Sequence, residues 1–352
     1  HTQFLWGGGM EHQTNSFMTS LAGGVVYHEM AHQWFGDKIT CGSWQHIWLN
    51  EGFATFGTYL VYEQAYTPEF NITLRQELVA NITSKPDGSV FVDDTTSVAR
   101  IFSSRLSYYK GCMLLRMLRG MMGDEPFFRA LRAYQQDPAL AYKYALTADL
   151  QRHLEQESGL QLNEFFRDWF YGQGFPSYQI KWRSIGDRWV QIDLSQTTSD
   201  PSVPFFEMPV PIRFISGSQS RTVVVDHRRN GQMSYADIGF IPDSVVVDPE
   251  VWLISANNSV TRMPDDGPGT PEIRAFPNPA GAQLQVWLRH IPDGRTSLVL
   301  HDALGRMVWN REWVVDHGGD YTVVPMDRLP AGVYWISVRQ GDHQLTVKKI
   351  LK

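Results

Sequence analysis

Residues 25–53 read VVYHEMAHQWFGDKITCGSWQHIWLNEGF, and three side chains within them set the expectations for the whole chain. His28 and His32 stand four positions apart. On a helix that spacing sends both imidazoles out from one face, where they can share a metal ion. Glu51 follows after 18 intervening residues. That is room for a turn at Gly36-Asp37 or Cys41-Gly42-Ser43 and the start of a second helix, with Asn50 as its candidate cap. Two neutral nitrogens and one carboxylate suit Zn2+, one ion per chain, with a fourth position left to water. Glu29 lies about 100° round the helix from His28, beside that fourth position, where a carboxylate can serve as general base. The competing reading is a core helix with two satisfied histidines. The glutamate at this spacing and the Trp-rich surroundings favour the metal.

HEMAHQWFGD at 28–37, followed by WLNEGFATF at 48–56, resembles the zinc aminopeptidases that include aminopeptidase N and leukotriene hydrolase. Gly8-Gly9-Met10-Glu11-His12 is similar to the Gly-x-Met-Glu-Asn exopeptidase motif of that family, with histidine in place of the usual asparagine. Tyr108-Tyr109-Lys110-Gly111 is similar to its Tyr-x-Lys-Gly motif. The resemblance implies metal-assisted hydrolysis of the first peptide bond of peptides with a free N-terminus. His28, His32 and Glu51 would hold zinc, and Glu29 would activate water. Glu11 would bind the substrate α-amine, with the backbone at Gly8 and Gly9 lining the peptide. Chemistry alone makes Tyr108 and Tyr109 equal candidates for an oxyanion donor; the motif assigns that role to Tyr108. An epoxide hydrolase or endopeptidase on the same site is one alternative. A surface-attached binding protein with an inactive or structural metal site is another.

Composition narrows the classes further. The 352 residues carry a formal net charge of −6, so nothing points to a nucleic-acid partner. No run of 18 apolar residues occurs, so no membrane span is expected. Cys41 and Cys112 are the only cysteines, which excludes a disulfide-stapled scaffold and leaves either two buried thiols or a single pair. Family members carry a large β domain ahead of the first motif. The chain is therefore expected to be the C-terminal part of a longer precursor, with that missing N-terminal domain as a partner.

Along the chain, the hydrophobic pattern predicts a strand at Phe4-Leu5-Trp6, then helices over 14–34, 51–66, 107–122, 127–136, 147–157 and 163–171. Thr147 and Gly159 bracket the fifth of these as cap and stop. Met113, Leu114, Met117, Leu118 and Met121 form a stripe best read as packing. From Gly172 the period changes from 3.6 to 2, with Tyr178, Ile180 and Trp182, then Val190, Ile192 and Leu194, alternating with polar residues. Residues 255–272 are polar and rich in Pro and Gly, the composition of a linker.

Beyond it, Phe276-Pro277-Asn278-Pro279, Asp302-Ala303-Leu304-Gly305-Arg306, Leu329-Pro330-Ala331-Gly332-Val333-Tyr334 and the closing Lys348-Lys349-Ile350 resemble the C-terminal sorting domain of type IX secretion in Bacteroidota. That resemblance implies the type IX machinery as a partner and a secreted or cell-surface destination reached through the periplasm. A carbohydrate-binding or adhesive β module is the competing reading. The expected architecture is multi-domain α and β. A mainly helical, thermolysin-like zinc peptidase domain, N-terminally incomplete, spans 1–175. An antiparallel β-sandwich follows over 176–254, then the linker, then a small β-sandwich sorting domain over 274–352.

Overall fold

A computed structural model describes residues 2–3, 8–185, 187–264, 271–315 and 319–352. The expected strand at Phe4-Leu5-Trp6 lies outside the described residues. Three short strands, β1 (Thr2–Gln3), β2 (Gly9–Met10) and β3 (Phe17–Met18), form a sheet in the order β1-β3-β2. Helix α1 (Gly23–His32) starts later than the pattern suggests. Thr14 has φ 63°, a left-handed conformation that no helix accommodates, and the chain passes through β3 before turning. At Gly24 a Cβ would lie 2.7 Å from the Tyr62 hydroxyl, so this glycine lets α1 approach the next helix.

Strand β4 (Ile39–Cys41) pairs in parallel with β5 (Lys143–Ala145). Between them lie α2 (Trp48–Ala65), α3 (Pro68–Ile82), α4 (Val98–Ile101), α5 (Gly111–Met122) and α6 (Asp124–Gln136). Asn50 does not cap α2, which begins two residues earlier; its Oδ1 accepts the Cys41 N–H at 3.0 Å instead. The single helix expected over 107–122 is a π-helical turn, Ser104–Lys110, running into α5. Helix α7 (Thr147–Ser158) stops at Gly159, φ 72°, as expected. Thr147 is not its cap, because its hydroxyl accepts the Trp48 indole N–H at 2.8 Å. A short α8 (Asn163–Phe165) and a second π-helical turn, Phe166–Tyr171, complete the helices.

Seven strands follow: β6 (Pro176–Ile185), β7 (Trp189–Thr198), β8 (Met208–Ser216), β9 (Gln219–His227), β10 (Gln232–Asp237), β11 (Ser244–Val247) and β12 (Ser259–Arg262). They form two sheets, β10-β7-β6-β12 and β11-β8-β9. Tyr178, Ile180, Val190, Ile192 and Leu194 alternate into a core that is continuous with Trp48, Phe53, Met113, Phe127 and Trp169 of the helical layer. The helices therefore rest on these two sheets and share their main interior with them. β12 departs from expectation twice. It falls in the stretch predicted as linker, and it joins β6 in parallel, with Val260 opposite Ile180. All four of its residues are exposed, so its composition carries no burial signal for a sequence reading to detect.

The last strands are β13 (Glu272–Phe276), β14 (Gln283–Arg289), β15 (Gly294–Asp302), β16 (Met307–Val315), β17 (Gly319–Pro325), β18 (Val333–Gln340) and β19 (His343–Leu351). They pair antiparallel in sheets β13-β14-β17 and β16-β15-β18-β19 around a core of their own, which includes Leu284, Val286, Leu300, Ile336 and Ile350. Both cysteines are free thiols.

Candidate metal centre and active site

The site is assembled where α1, α2 and the π-helical turn meet. Close packing of the two helices depends on small residues: a Cβ on Gly57 would lie 2.7 Å from the Ala31 methyl. His28 and His32 leave α1 on the same side, and their Nε2 atoms are 3.1 Å apart. Glu51, in the first turn of α2, places Oε2 3.3 Å from each of them. Three donor atoms so disposed fit one zinc ion at its usual ligand distances of about 2.0–2.2 Å. The partner of His32 on its far side strengthens the fit. Its Nδ1 is 3.0 Å from the Phe35 carbonyl, which only an Nδ1–H can satisfy, leaving the Nε2 lone pair for a metal.

The electrostatics follow from burial and the close charges. Burial opposes ionisation of Glu51, but hydrogen bonds from His28 and His32 outweigh it and hold the carboxyl down to about 2. Burial likewise opposes a charged His32, yet Glu51 draws its imidazole up to about 9. Glu29 differs. Burial, set against the attraction of His32 and reinforced by Glu11 and Glu51, pushes its carboxyl up to about 7. It lies against the Gly-rich strand: a Cβ on Gly9 would fall 2.0 Å from its Oε1, so only glycine fits there.

Glu11 stands near Glu29 and His32, with ligand atoms of the three residues within 4.8 Å of one another. Its carbonyl accepts the Gln33 side-chain N–H at 2.8 Å, which ties the strand to the end of α1. Tyr108 stacks on His28, ring centroids 5.9 Å apart and planes 12° off parallel. Burial pushes its phenol well above the ordinary range, and a hydrogen bond to Glu51 adds to that. Every residue singled out in the sequence thus lies in one neighbourhood. Gly8, Gly9, Glu11, His28, Glu29, His32, Glu51 and Tyr108 all line a cavity of about 620 Å³.

Two residues have supporting roles that the sequence did not reveal. Asn50 pins β4 to α2 through the Cys41 bond described above. Lys110 is fully buried, and its Nζ donates to the carbonyls of Gly88 at 2.8 Å and Gly174 at 3.2 Å, anchoring the turn that carries Tyr108. The Tyr-x-Lys-Gly motif marks Lys110 as notable, but a buried lysine facing two carbonyls leaves no pattern in the sequence.

Residues 10–169 match the Peptidase family M1 domain. They belong to peptidase family M1. Aminopeptidase M1-A of Oryza sativa subsp. japonica is 35% identical over 205 residues, which is 56% of this chain and 22% of that protein. Tricorn protease-interacting factor F2 of Thermoplasma volcanium is 30% identical over 256 residues, 70% of this chain and 29% of that protein. The chain therefore spans less than a third of the length of either relative. Among solved structures, aminopeptidase A of Legionella pneumophila in complex with aspartic acid aligns with 69% of this chain and 27% of its own, at a TM-score of 0.54 and 18% identity. That likeness extends the fold beyond the M1 segment. Residues 274–352 match the Secretion system C-terminal sorting domain, which marks the chain for export. Among the described residues no helix is long and apolar enough to cross a membrane.

Proposed function

We propose that the M1 segment is the catalytic part of a zinc aminopeptidase exported by the type IX machinery, acting on peptides with a free N-terminus. The observation that carries this reading is the convergence of His28 Nε2, His32 Nε2 and Glu51 Oε2 to within 3.1–3.3 Å of one another, with Glu29, Glu11 and Tyr108 around them. His28, His32 and Glu51 would hold the zinc, which when bound supplies Lewis-acid polarisation of water and of a carbonyl.

The chain's own residues do the rest. The Glu29 carboxylate takes a proton from water as that water adds to the scissile carbonyl. Its elevated affinity for protons, from burial first, matches it to a base working near neutral pH. The Tyr108 hydroxyl, kept protonated by its buried position, donates to the oxygen of the same carbonyl as negative charge builds there. Glu29 then returns its proton to the departing amine. Glu11 pairs with the substrate α-ammonium, so a peptide without a free N-terminus leaves this carboxylate unpaired and binds poorly. Fixing the α-ammonium also fixes which peptide bond lies over the metal, the physical basis of removing one residue at a time.

Turnover of an aminoacyl chromogenic substrate by the zinc-loaded chain, lost on chelation and restored by zinc, is the expected result. Glu29→Gln should retain zinc by elemental analysis while losing turnover. Hydrolysis of N-acetylated peptides at a rate equal to that of free ones would overturn the exopeptidase assignment.

A further inference from the structure

Beside the metal centre lies a larger cavity of about 1020 Å³. Three carboxylates line it, Glu11, Asp37 and Glu51, and no lysine or arginine does. Glu51 is bonded to both imidazoles. Under the aminopeptidase reading, Glu11 belongs to the substrate α-ammonium. Asp37 is left over. Among the described residues it pairs with no lysine or arginine, and its Oδ2 is buried without a hydrogen-bond partner. The groups around its carboxyl are Glu11, His12, His32 and the Gln33 side chain, so no permanently charged cation faces it.

Asp37 is also firmly placed. Its N–H donates to the His32 carbonyl at 2.9 Å, and its own carbonyl accepts the Gln13 side-chain N–H at 3.2 Å. Gln33 holds the Glu11 carbonyl from the same stretch, so the two carboxylates ride on one clamped unit. The wall of the cavity includes Trp44 and Phe102, whose rings meet edge to face at 5.9 Å. Both are large apolar side chains left 50% and 40% exposed, and they border a space large enough for a long side chain.

We propose that this cavity receives the side chain of the substrate's N-terminal residue and selects a basic one, arginine ahead of lysine, with Asp37 as its counter-charge and Trp44 and Phe102 as its aromatic wall. The proposal rests on the aminopeptidase reading above and adds the substrate class to it. A guanidinium offers donors to a carboxylate while its flat faces stack on aromatic rings. The compact ammonium of lysine can do the first but not the second as well. A neutral side chain would leave Asp37 uncompensated, and an acidic one would add repulsion from two carboxylates.

The test compares kcat/KM of the zinc-loaded full chain on aminomethylcoumarin derivatives of Arg, Lys, Leu and Glu. Arg should exceed Leu by about tenfold or more, the scale of one well-placed charged contact, with Glu lowest. In Asp37→Asn the Arg-to-Leu ratio should fall by about the same factor. If that variant does not fold, Trp44→Ala should lower the same ratio. Leu turned over as well as Arg, or an Asp37→Asn effect equal on all four substrates, would overturn the proposal. Thermal shift with L-argininamide and L-leucinamide separates this failure from failure of the enzyme reading. Preferential, Asp37-dependent stabilisation by argininamide without any turnover keeps the pocket and sinks the hydrolase. Equal stabilisation by both amides sinks the pocket.

Discussion

Gly52 and Gly111 meet backbone to backbone: a Cβ on Gly52 would lie 3.1 Å from the Gly111 carbonyl carbon and 3.2 Å from its Cα. Gly52 follows Glu51 directly, and Gly111 ends the motif that begins at Tyr108. The contact therefore sets how near the phenol stands to the carboxylate. No side-chain tip can yield to a Cβ on Gly52, because the nearest atoms it would meet are all main chain. Gly52→Ala should cost about 1–3 kcal/mol of stability, the range for overpacking a tight contact. Its kcat should fall while the ligands stay in place and zinc content holds. A variant with unchanged melting temperature and turnover would show that the helices have slack.

Tyr108→Phe removes one donor without changing shape. The expected loss in turnover is about 10²–10³, with zinc content intact and KM little altered, because the bond forms only as charge develops on the carbonyl oxygen. Tyr109→Phe should remain near the wild-type rate. Reversed effects would mean that the motif register places the wrong phenol at the carbonyl.

How legible all this was in the sequence depends on the range of the interaction. The spacing of His28 and His32 is a local property of one helix, so the pattern alone gives the shared face. Glu51 and Tyr108 come from other elements: spacing and ligand chemistry make Glu51 the candidate third ligand, whereas only resemblance to a family ties Tyr108 to the histidines. Chemistry without it leaves Tyr108 and Tyr109 equal. The π-helical turn at Ser104–Lys110 was not legible, because its apolar residues also fit an ordinary helix. Asn50 shows the limit of capping rules. Its side chain suits a cap, but the Cys41 N–H offers a tertiary partner, and the helix starts earlier. Asp37 drew notice only as a turn residue, since nothing in a sequence shows that a carboxylate will stand without a lysine or arginine partner.

Lys110 makes a pH-dependent contribution whose direction is fixed. Burial first, then repulsion from Arg105 and Arg100, brings its ammonium down to about 7 from an unfolded value of 10.5. Between those values the unfolded chain holds a proton that the folded one does not, so stability rises as pH climbs through that window. The gain is at most about 1.4 kcal/mol per pH unit. Denaturant unfolding of wild type and Lys110→Met at pH 6.5 and pH 9 isolates it. The wild-type advantage should be larger at pH 9; an advantage independent of pH would mean that the lysine titrates alike in both states.

The sorting segment has a core separate from the one shared by the helices and the β6–β12 sheets, and it touches those sheets through aromatic side chains. Trp189 of β7 meets Tyr321 of β17 at 3.7 Å, and Tyr235 of β10 meets Trp287 of β14 at 4.2 Å between ring centroids. None of these residues lines either cavity at the metal centre. Among the described residues, no His, Cys or acidic group of 274–352 belongs to a cluster able to hold a metal. Deleting 274–352 should therefore leave zinc content and kcat unchanged. It should uncover the Trp189 and Tyr235 faces and make the shortened protein more prone to associate. In the producing cell the truncated protein should accumulate in the periplasm, as fractionation followed by zymography would show. Normal arrival at the surface would refute a sorting role for the segment, and loss of kcat in the purified truncation would refute its independence from the active site.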